Sequence, residues 1–242
     1  MKCLIIAAGR GSRLQLRGNS KPLIPIFGIP LIERVIRSAL DAGVDDFYVV
    51  TGYQQEHVTS FLHDLSHRIN VSITPIYNED WQKENGVSVL KAREYLQEPF
   101  LLLMSDHIFD PNTLRELMEV PLPRGEIILA VDRAIDNPTV NLDDVTRVKI
   151  KNGKISEIGK GLADYNGFDT GIFMCTPAIF EALEQSAEKN DNTSLSGGVY
   201  ILASQGRVNA TAFTGQFWID VDDPEAMRQA ENILLNYLPE NL

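Results

Sequence analysis

The first apolar segment of the chain runs straight into Ala7-Ala8-Gly9-Arg10-Gly11-Ser12-Arg13, and small residues at this spacing let backbone N–H groups come close to phosphate oxygens. Two better-known phosphate loops are excluded. No Gly-Lys-Ser/Thr closes this one, and the dinucleotide fingerprint lacks its third small residue because Leu14 follows Arg13. That fingerprint also needs an acid at the end of the second strand, where Thr51-Gly52-Tyr53 stands. Carboxylates appear elsewhere: Asp106, in Ser105-Asp106-His107, closes an almost continuously apolar run, and Trp218-Ile219-Asp220-Val221-Asp222 lies far along the chain. Two separated carboxylates together with substrate phosphates suit Mg2+, which takes oxygen ligands and keeps several waters. Strand alternation puts Asp220 and Asp222 on one face, although Asp222-Asp223-Pro224 also has the composition of a helix start. His107 has neither a partner Cys nor a second His at ligand spacing, so it is expected to make a local hydrogen bond.

Further positions carry polar chemistry. In Glu84-Asn85-Gly86-Val87-Ser88 the glycine permits a close approach, and Asn85 equally serves as a helix cap. Lys160 is exposed by its small neighbours in Ile158-Gly159-Lys160-Gly161, and Asp169 opens the apolar segment Asp169-Thr170-Gly171, where it can accept from a hydroxyl. Lys149 stands near Lys151 and Lys154, so it either faces a ligand or belongs to the solvated face of a hairpin.

The elements that must position these groups follow from periodicity. A buried strand is predicted over residues 2–7 and a loop over 9–21. Next come a helix over 30–42 behind its proline, a strand over 46–51, a helix over 55–65, a strand over 71–77, a helix over 87–96 and a central strand over 100–105. Strands alternating with helical patterns indicate βαβ units and a largely parallel sheet. The grammar then changes, with strands over 126–132, 168–175 and 208–213, and a hairpin over 147–158 joined at Asn152-Gly153. Helices are expected over 177–187, 195–204 and 224–237. The expected fold is α/β: Rossmann-like and three-layered, with a mostly parallel central sheet and a small hairpin or mixed sheet over the strand ends where ligands bind. One domain is expected over 1–242, with a nucleotide-binding half at about 1–125 and an acceptor-binding half at about 126–242.

The chain has 242 residues, 44% hydrophobic and 23% charged, enough for a full core. A net charge of −11 argues against general affinity for nucleic acid or an anionic membrane. The first 40 residues nevertheless hold seven cations and one anion, so that segment is expected to handle an anion. Cys3 and Cys175 lie in apolar runs without metal-type spacing, as buried thiols of a reducing compartment do. With no signal-peptide pattern and no apolar run long enough to span a bilayer, the chain is expected to be soluble and cytoplasmic.

The loop, Arg13 and then Lys21-Pro22-Leu23 resemble the signature of nucleoside-triphosphate transferases that activate phosphorylated sugars and alcohols. The resemblance implies that Arg13 and Lys21 grip the triphosphate, with Lys21 neutralising charge in the transition state. It also implies that residues 14–20 form a lid, that Glu84 to Ser88 read the nucleobase, and that Asp106, Asp220 and Asp222 bind metal. Over nearly its whole length the chain is similar to inositol-1-phosphate cytidylyltransferases. The similarity rests on Lys83-Glu84-Asn85-Gly86-Val87-Ser88, Ser105-Asp106-His107-Ile108-Phe109, Ile158-Gly159-Lys160, Asp169-Thr170-Gly171 and Trp218-Ile219-Asp220-Val221-Asp222. Two departures are a longer segment between Arg13 and Lys21, and Ser105 in place of a glycine. The family implies CTP plus inositol 1-phosphate giving CDP-inositol and pyrophosphate, with Mg2+ as cofactor and Lys149, Lys160, Asp169, Thr170 and Gly171 around the acceptor. It further implies association with a membrane-embedded CDP-alcohol phosphotransferase that consumes the product. Transfer to a sugar phosphate, phosphocholine or phosphonate, and a non-catalytic nucleotide sensor, stay open on the residues alone.

Overall fold

The computed structural model describes residues 1–17, 20–213 and 215–237, and only the backbone of 15–17. The first half unfolds as β1 (Lys2–Ala7), short 3-10 turns at Ser12–Arg17 and Lys21–Leu23, a small hairpin of β2 (Pro25–Ile26) and β3 (Ile29–Pro30), then α1 (Leu31–Asp41), β4 (Asp46–Thr51), α2 (Gln55–Ile69), β5 (Ser72–Tyr77) and α3 (Asn85–Lys91). Then come β6 (Phe100–Met104), β7 (His107–Phe109), α4 (Pro111–Glu119), β8 (Ile127–Asp132), β9 (Arg147–Lys151), β10 (Lys154–Gly159) and β11 (Gly167–Cys175). The chain continues through α5 (Ala178–Asn190), α6 (Leu195–Ser204), β12 (Val208–Ala212), β13 (Trp218–Asp220) and α7 (Pro224–Tyr237).

Nine strands form one sheet in the order β5-β4-β1-β6-β11-β8-β12-β10-β9. The first four are mutually parallel, as the βαβ pattern requires, and β11 then enters antiparallel to both β6 and β8. The far end turns back on itself, because Gly167 and Phe168 of β11 pair with Val148 and Arg147 of β9. The α/β architecture is the expected one, but the mixed part is not a separate sheet over the strand ends: it continues the same nine-stranded sheet beyond β6.

Both faces of the sheet are covered, which explains why β1 and β6 read as continuous apolar runs. Leu4, Ile6, Phe100 and Leu102 pack on one side with Val89 of α3, Phe180 of α5 and Val199 of α6. Cys3, Ile5, Leu101 and Leu103 pack on the other with Val35 of α1, Leu62 of α2 and Leu114 of α4. Glu33 of α1 is buried and paired with Arg37 at 2.7 Å and Arg68 of α2 at 2.8 Å, tying the two helices together. A third apolar cluster joins Leu14, Ile24, Ile26 and Leu31 to Ile108, Ile219, Val221 and Met227, so the segment after the phosphate turn rests on β7, β13 and α7. Among the described residues no helix is long and apolar enough to cross a membrane.

Candidate active site

The parallel strands end at one edge, and the chain returns there twice. Between β6 and β7 it makes a tight turn at Ser105 and Asp106, and β13 then pairs antiparallel with β7 in a register that sets Asp220 opposite His107. Val221 donates its backbone N–H to the Asp106 carbonyl at 3.0 Å, closing the corner. Three acids from distant positions thereby converge on Lys21.

Lys21 is buried, its side chain 8% exposed, and its ammonium pairs with Asp106 and Asp222 and lies 3.9 Å from Asp220. Burial alone would pull the ammonium down; the three carboxylates outweigh it and hold Lys21 protonated, above its ordinary value. Gly11 makes room for this lysine. Its φ is +63°, and an added Cβ would sit 2.4 Å from the Lys21 Cβ. Arg13 extends the network, its guanidinium 2.6 Å from Asp222 and 2.5 Å from Asp144, which also holds Lys160. Alternating charge therefore runs from Lys160 through Asp144, Arg13, Asp222 and Lys21 to Asp106.

Beside this string lies a cavity of ≈ 450 Å³, lined by Asp106, His107, Asp144, Lys160, Asp169 and Asp220 among others. Asp169 accepts the Gly171 N–H at 2.8 Å, and burial pushes its carboxyl up to about 6. His107 approaches the Thr170 carbonyl through Nδ1 at 2.7 Å, with Nε2 3.5 Å from Asp220 and 3.8 Å from Asp106. Burial works against its charge, but Asp220 and Asp106 push the imidazole up to about 10. Asp220 in turn is held below the carboxylate range by His107 and Lys21 in spite of its burial.

Asp106, His107 and Asp220 offer ligand atoms within 4.8 Å of one another, and Asp220 Oδ1 is a buried oxygen without a hydrogen-bond partner. Such a donor set fits a divalent cation.

Several expectations change on this geometry. Asp223, not Asp222, caps α7, its side chain accepting from the N–H groups of Glu225 and Ala226 at 2.8 Å, and this leaves Asp222 to the cations. Lys149 pairs with Asp164 and does not line the cavity. The Thr170 side chain is buried, donates to the Ala130 carbonyl at 2.8 Å and does not line the cavity. Gly171 sits at φ +74° in a β-bulge, and its missing Cβ leaves space for the His107 ring, which would otherwise lie 2.4 Å away.

The Glu84 to Ser88 block is also differently employed. Glu84 accepts from the Thr193 backbone and hydroxyl at 3.0 Å, Ser88 accepts from Asn78 at 2.9 Å, and a Cβ on Gly86 would meet the Thr193 carbonyl at 2.4 Å. Glu84 and Gly86 knit the start of α3 to the start of α6, and Ser88 ties α3 to Asn78 after β5; Asn85, bonded to the Leu195 N–H, is the member that lines the cavity.

At the phosphate turn, Ala7 and Ala8 are buried while Gly9, Arg10, Ser12 and Arg13 are exposed. Arg10 lies 5.6 Å over the Tyr53 ring. The expected lid at 14–20 begins with a buried Leu14, continues as the 3-10 turn, and includes residues 18 and 19, which lie outside the described residues.

Sequence reasoning missed Asp144 and set His107 aside. Asp144 is one of two adjacent acids in a loop, and nothing in its type marks it. His107 follows Asp106 directly, and neighbours on a strand point apart; the turn at 105–106 breaks that alternation and lets both face the site.

The model of the MobA-like NTP transferase domain matches residues 3–156, more than half of the chain. The chain belongs to this nucleotidyltransferase family. Two similar proteins are named "Bifunctional IPC transferase and DIPP synthase": that of Rubrobacter xylanophilus is 33% identical over 96% of this chain, and that of Aquifex aeolicus 34% identical over 96%. The chain spans about half the length of these curated relatives, 52% and 51%. The inositol-1-phosphate CTP transferase structure from T. maritima superposes with a TM-score of 0.84 at 23% identity, covering 100% of this chain and 97% of that one, and so shares the fold. As an NTP transferase domain, the chain carries its Gly-rich turn, Lys21 and the acids at the edge where nucleotides bind in doubly wound sheets.

Proposed function

We propose that the chain transfers a cytidylyl group from CTP to inositol 1-phosphate, forming CDP-inositol and pyrophosphate. The observation that carries this reading is a buried lysine set among three carboxylates, beside a Gly-rich turn and a cavity with a second lysine, Lys160. The relatives' names, which include an IPC transferase and an inositol-1-phosphate CTP transferase, support the choice of base and acceptor.

An oxygen of the acceptor's phosphate attacks the α-phosphorus, the bond to the β-phosphate oxygen breaks, and pyrophosphate leaves. The attacking group is already anionic, so no general base is needed. Lys21 stays protonated and serves as a fixed positive charge, with Arg13 on the triphosphate side. Lys160 holds the acceptor's phosphate against the like charge of the nucleotide, while Asp169 and Asn85 face its hydroxyls. A divalent cation, Mg2+ in this reading, would be held by Asp106 and Asp220 and would neutralise charge on the triphosphate when bound. The half at about 1–125 then supplies the nucleotide loop and the half at about 126–242 supplies Lys160 and Asp169 to the acceptor, with Asn85 and Asp220 each reaching across from the other half. In this reading the chain is cytoplasmic and works with a membrane-embedded CDP-alcohol phosphotransferase; the relatives' name pairs an IPC transferase with a DIPP synthase, which supports only that a second activity stands beside the first.

Pyrophosphate release with CTP, UTP, ATP and dTTP against inositol 1-phosphate, glucose 1-phosphate and phosphocholine tests this directly. CTP with inositol 1-phosphate is expected to be the fastest pair. An inert inositol 1-phosphate beside a reactive sugar phosphate overturns the acceptor assignment and leaves the chemistry standing.

A further inference from the structure

We infer that His107 is a third, nitrogen ligand of the divalent-cation site, and that the turn at Thr170 and Gly171 exists to aim it there. This inference rests on the reading of the site as a metal-assisted nucleotidyltransferase centre.

The oxygens of the two flanking acids are divided between neighbours. Asp106 turns Oδ2 to Lys21 and Oδ1 toward His107 Nε2, while Asp220 turns Oδ1 toward Lys21 and Oδ2 toward the same Nε2. One oxygen of each carboxylate is therefore left on the histidine side, with Nε2 between them, and a cation held there need not take the oxygens that face Lys21. One ligand atom of each of these three residues lies within 4.8 Å of the others.

The orientation of the ring is built into the backbone. Nδ1 is 2.7 Å from the Thr170 carbonyl, an acceptor, so Nδ1 carries the proton and a neutral ring presents its lone pair at Nε2. Metal-binding histidines are held in this way, with the second ring nitrogen donating to a carbonyl or carboxylate. The carbonyl is brought into place by the bulge between Asp169 and Phe173, and the Thr170 hydroxyl fixes that bulge on Ala130. Gly171 keeps the space: a Cβ there would lie 2.4 Å from Nδ1 and 2.6 Å from Cε1 of the ring. Thr170 and Gly171 thus act on the metal through His107 and not on the acceptor.

A nitrogen donor changes the ion the site prefers. Carboxylates and water suit Mg2+, whereas imidazole favours the first-row transition metals. The site is therefore tuned toward Mn2+ or Co2+ beyond what two carboxylates would give.

The experiment is pulsed electron paramagnetic resonance on the protein loaded with Mn2+ alone, together with calorimetric titration of Mn2+ and Mg2+. The wild-type protein is expected to show nitrogen modulation from a directly bound imidazole. His107→Gln is expected to lose that modulation, with Mn2+ affinity falling roughly 10-fold or more and Mg2+ affinity changing less than about threefold. Gly171→Ala, whose methyl displaces the ring, is expected to lose the modulation as well. Bound Mn2+ with no nitrogen coupling in the wild-type protein overturns the inference, and that measurement needs no variant. Coupling that persists in Gly171→Ala overturns the part assigned to the turn. Pyrophosphate release is read separately: nitrogen coupling without any transfer sinks the functional reading alone, and transfer without coupling sinks this inference alone.

Discussion

Replacing Lys21 with methionine removes one charge and keeps most of the volume. What it leaves behind is three carboxylates without their shared cation. A single contact such as that with Asp220, at 3.9 Å, corresponds to about 4 kcal/mol at an effective dielectric near 20, and there are three of them, set against the cost of burying the ammonium. Removing one partner of a buried pair typically costs roughly 3–5 kcal/mol, and Arg13 still balances Asp222, so the low end, about 3 kcal/mol, is expected. For a chain of this size that lowers the melting temperature by about 6–12 °C. Catalysis suffers separately. Loss of a group aimed at developing charge costs about 10²–10³ in kcat, up to about 4 kcal/mol of transition-state stabilisation. The two effects are separable because a divalent cation bound by Asp106 and Asp220 restores stability by mass action without restoring Lys21. The assay is pyrophosphate release at saturating nucleotide and metal, with melting curves in parallel. Lys21→Met that keeps turnover within about tenfold of wild type under these conditions would refute the role given to this residue. Gly11→Ala, which crowds the lysine from outside, is expected to weaken turnover in the same sense with the charge still present.

Asp222 and Asp223 are expected to part company: Asp223→Ala lowers stability by about 1 kcal/mol through loss of the α7 cap and spares kcat, whereas Asp222→Asn lowers kcat about 10-fold or more. Steady-state kinetics and melting curves on both variants check this. Lys160→Ala raises the acceptor KM about tenfold and Lys149→Ala leaves it within about twofold, read by varying the acceptor at fixed nucleotide. Burial raises and Arg68 and Arg37 lower the Glu33 carboxyl, and the arginines win, so its folded value lies below the ordinary 4.5. Its stabilisation is therefore complete above about pH 4.5 and lost as pH falls through the depressed folded value. Glu33→Gln should cost about 2 kcal/mol near neutral pH, less than a fully buried pair because both arginines are half-exposed, and should flatten the acid limb of a stability–pH curve.

How far the fold was legible depended on what each segment buries. β1, β4 and α7 stand where periodicity put them, because each packs a continuous or regularly spaced apolar face. α4 was missed although Asp110 and Pro111 begin it in the usual way, since nine residues carry too few apolar positions to show a period. β7 and β13 are three residues each, and only their pairing with one another defines them. α3 begins two residues early and ends five early relative to expectation, its Gly86 serving contact with the Thr193 carbonyl. In the site, Lys21 was singled out by the resemblance around Lys21-Pro22-Leu23 and Asp106 and Asp220 as acids closing or following apolar strands, and the structure brings the three together. Asp144, and the use of Asp222 and not Asp223, depend on which of two neighbouring acids the backbone turns inward, and residue type does not record that.

The order in which the chain is made bears on the lysine at the centre. Lys21 and Asp222 are 201 residues apart, and Arg13 and Asp222 are 209 apart. On the ribosome the parallel half of the sheet has its strands long before β13 appears, so the lysine waits without two of its three acids. Closing loops of this length is slow and gains nothing until the final contacts form. The corner is completed only once β13 and the residues after it are made, so a nascent chain that stops short of Asp220 holds Lys21 with one of its three acids.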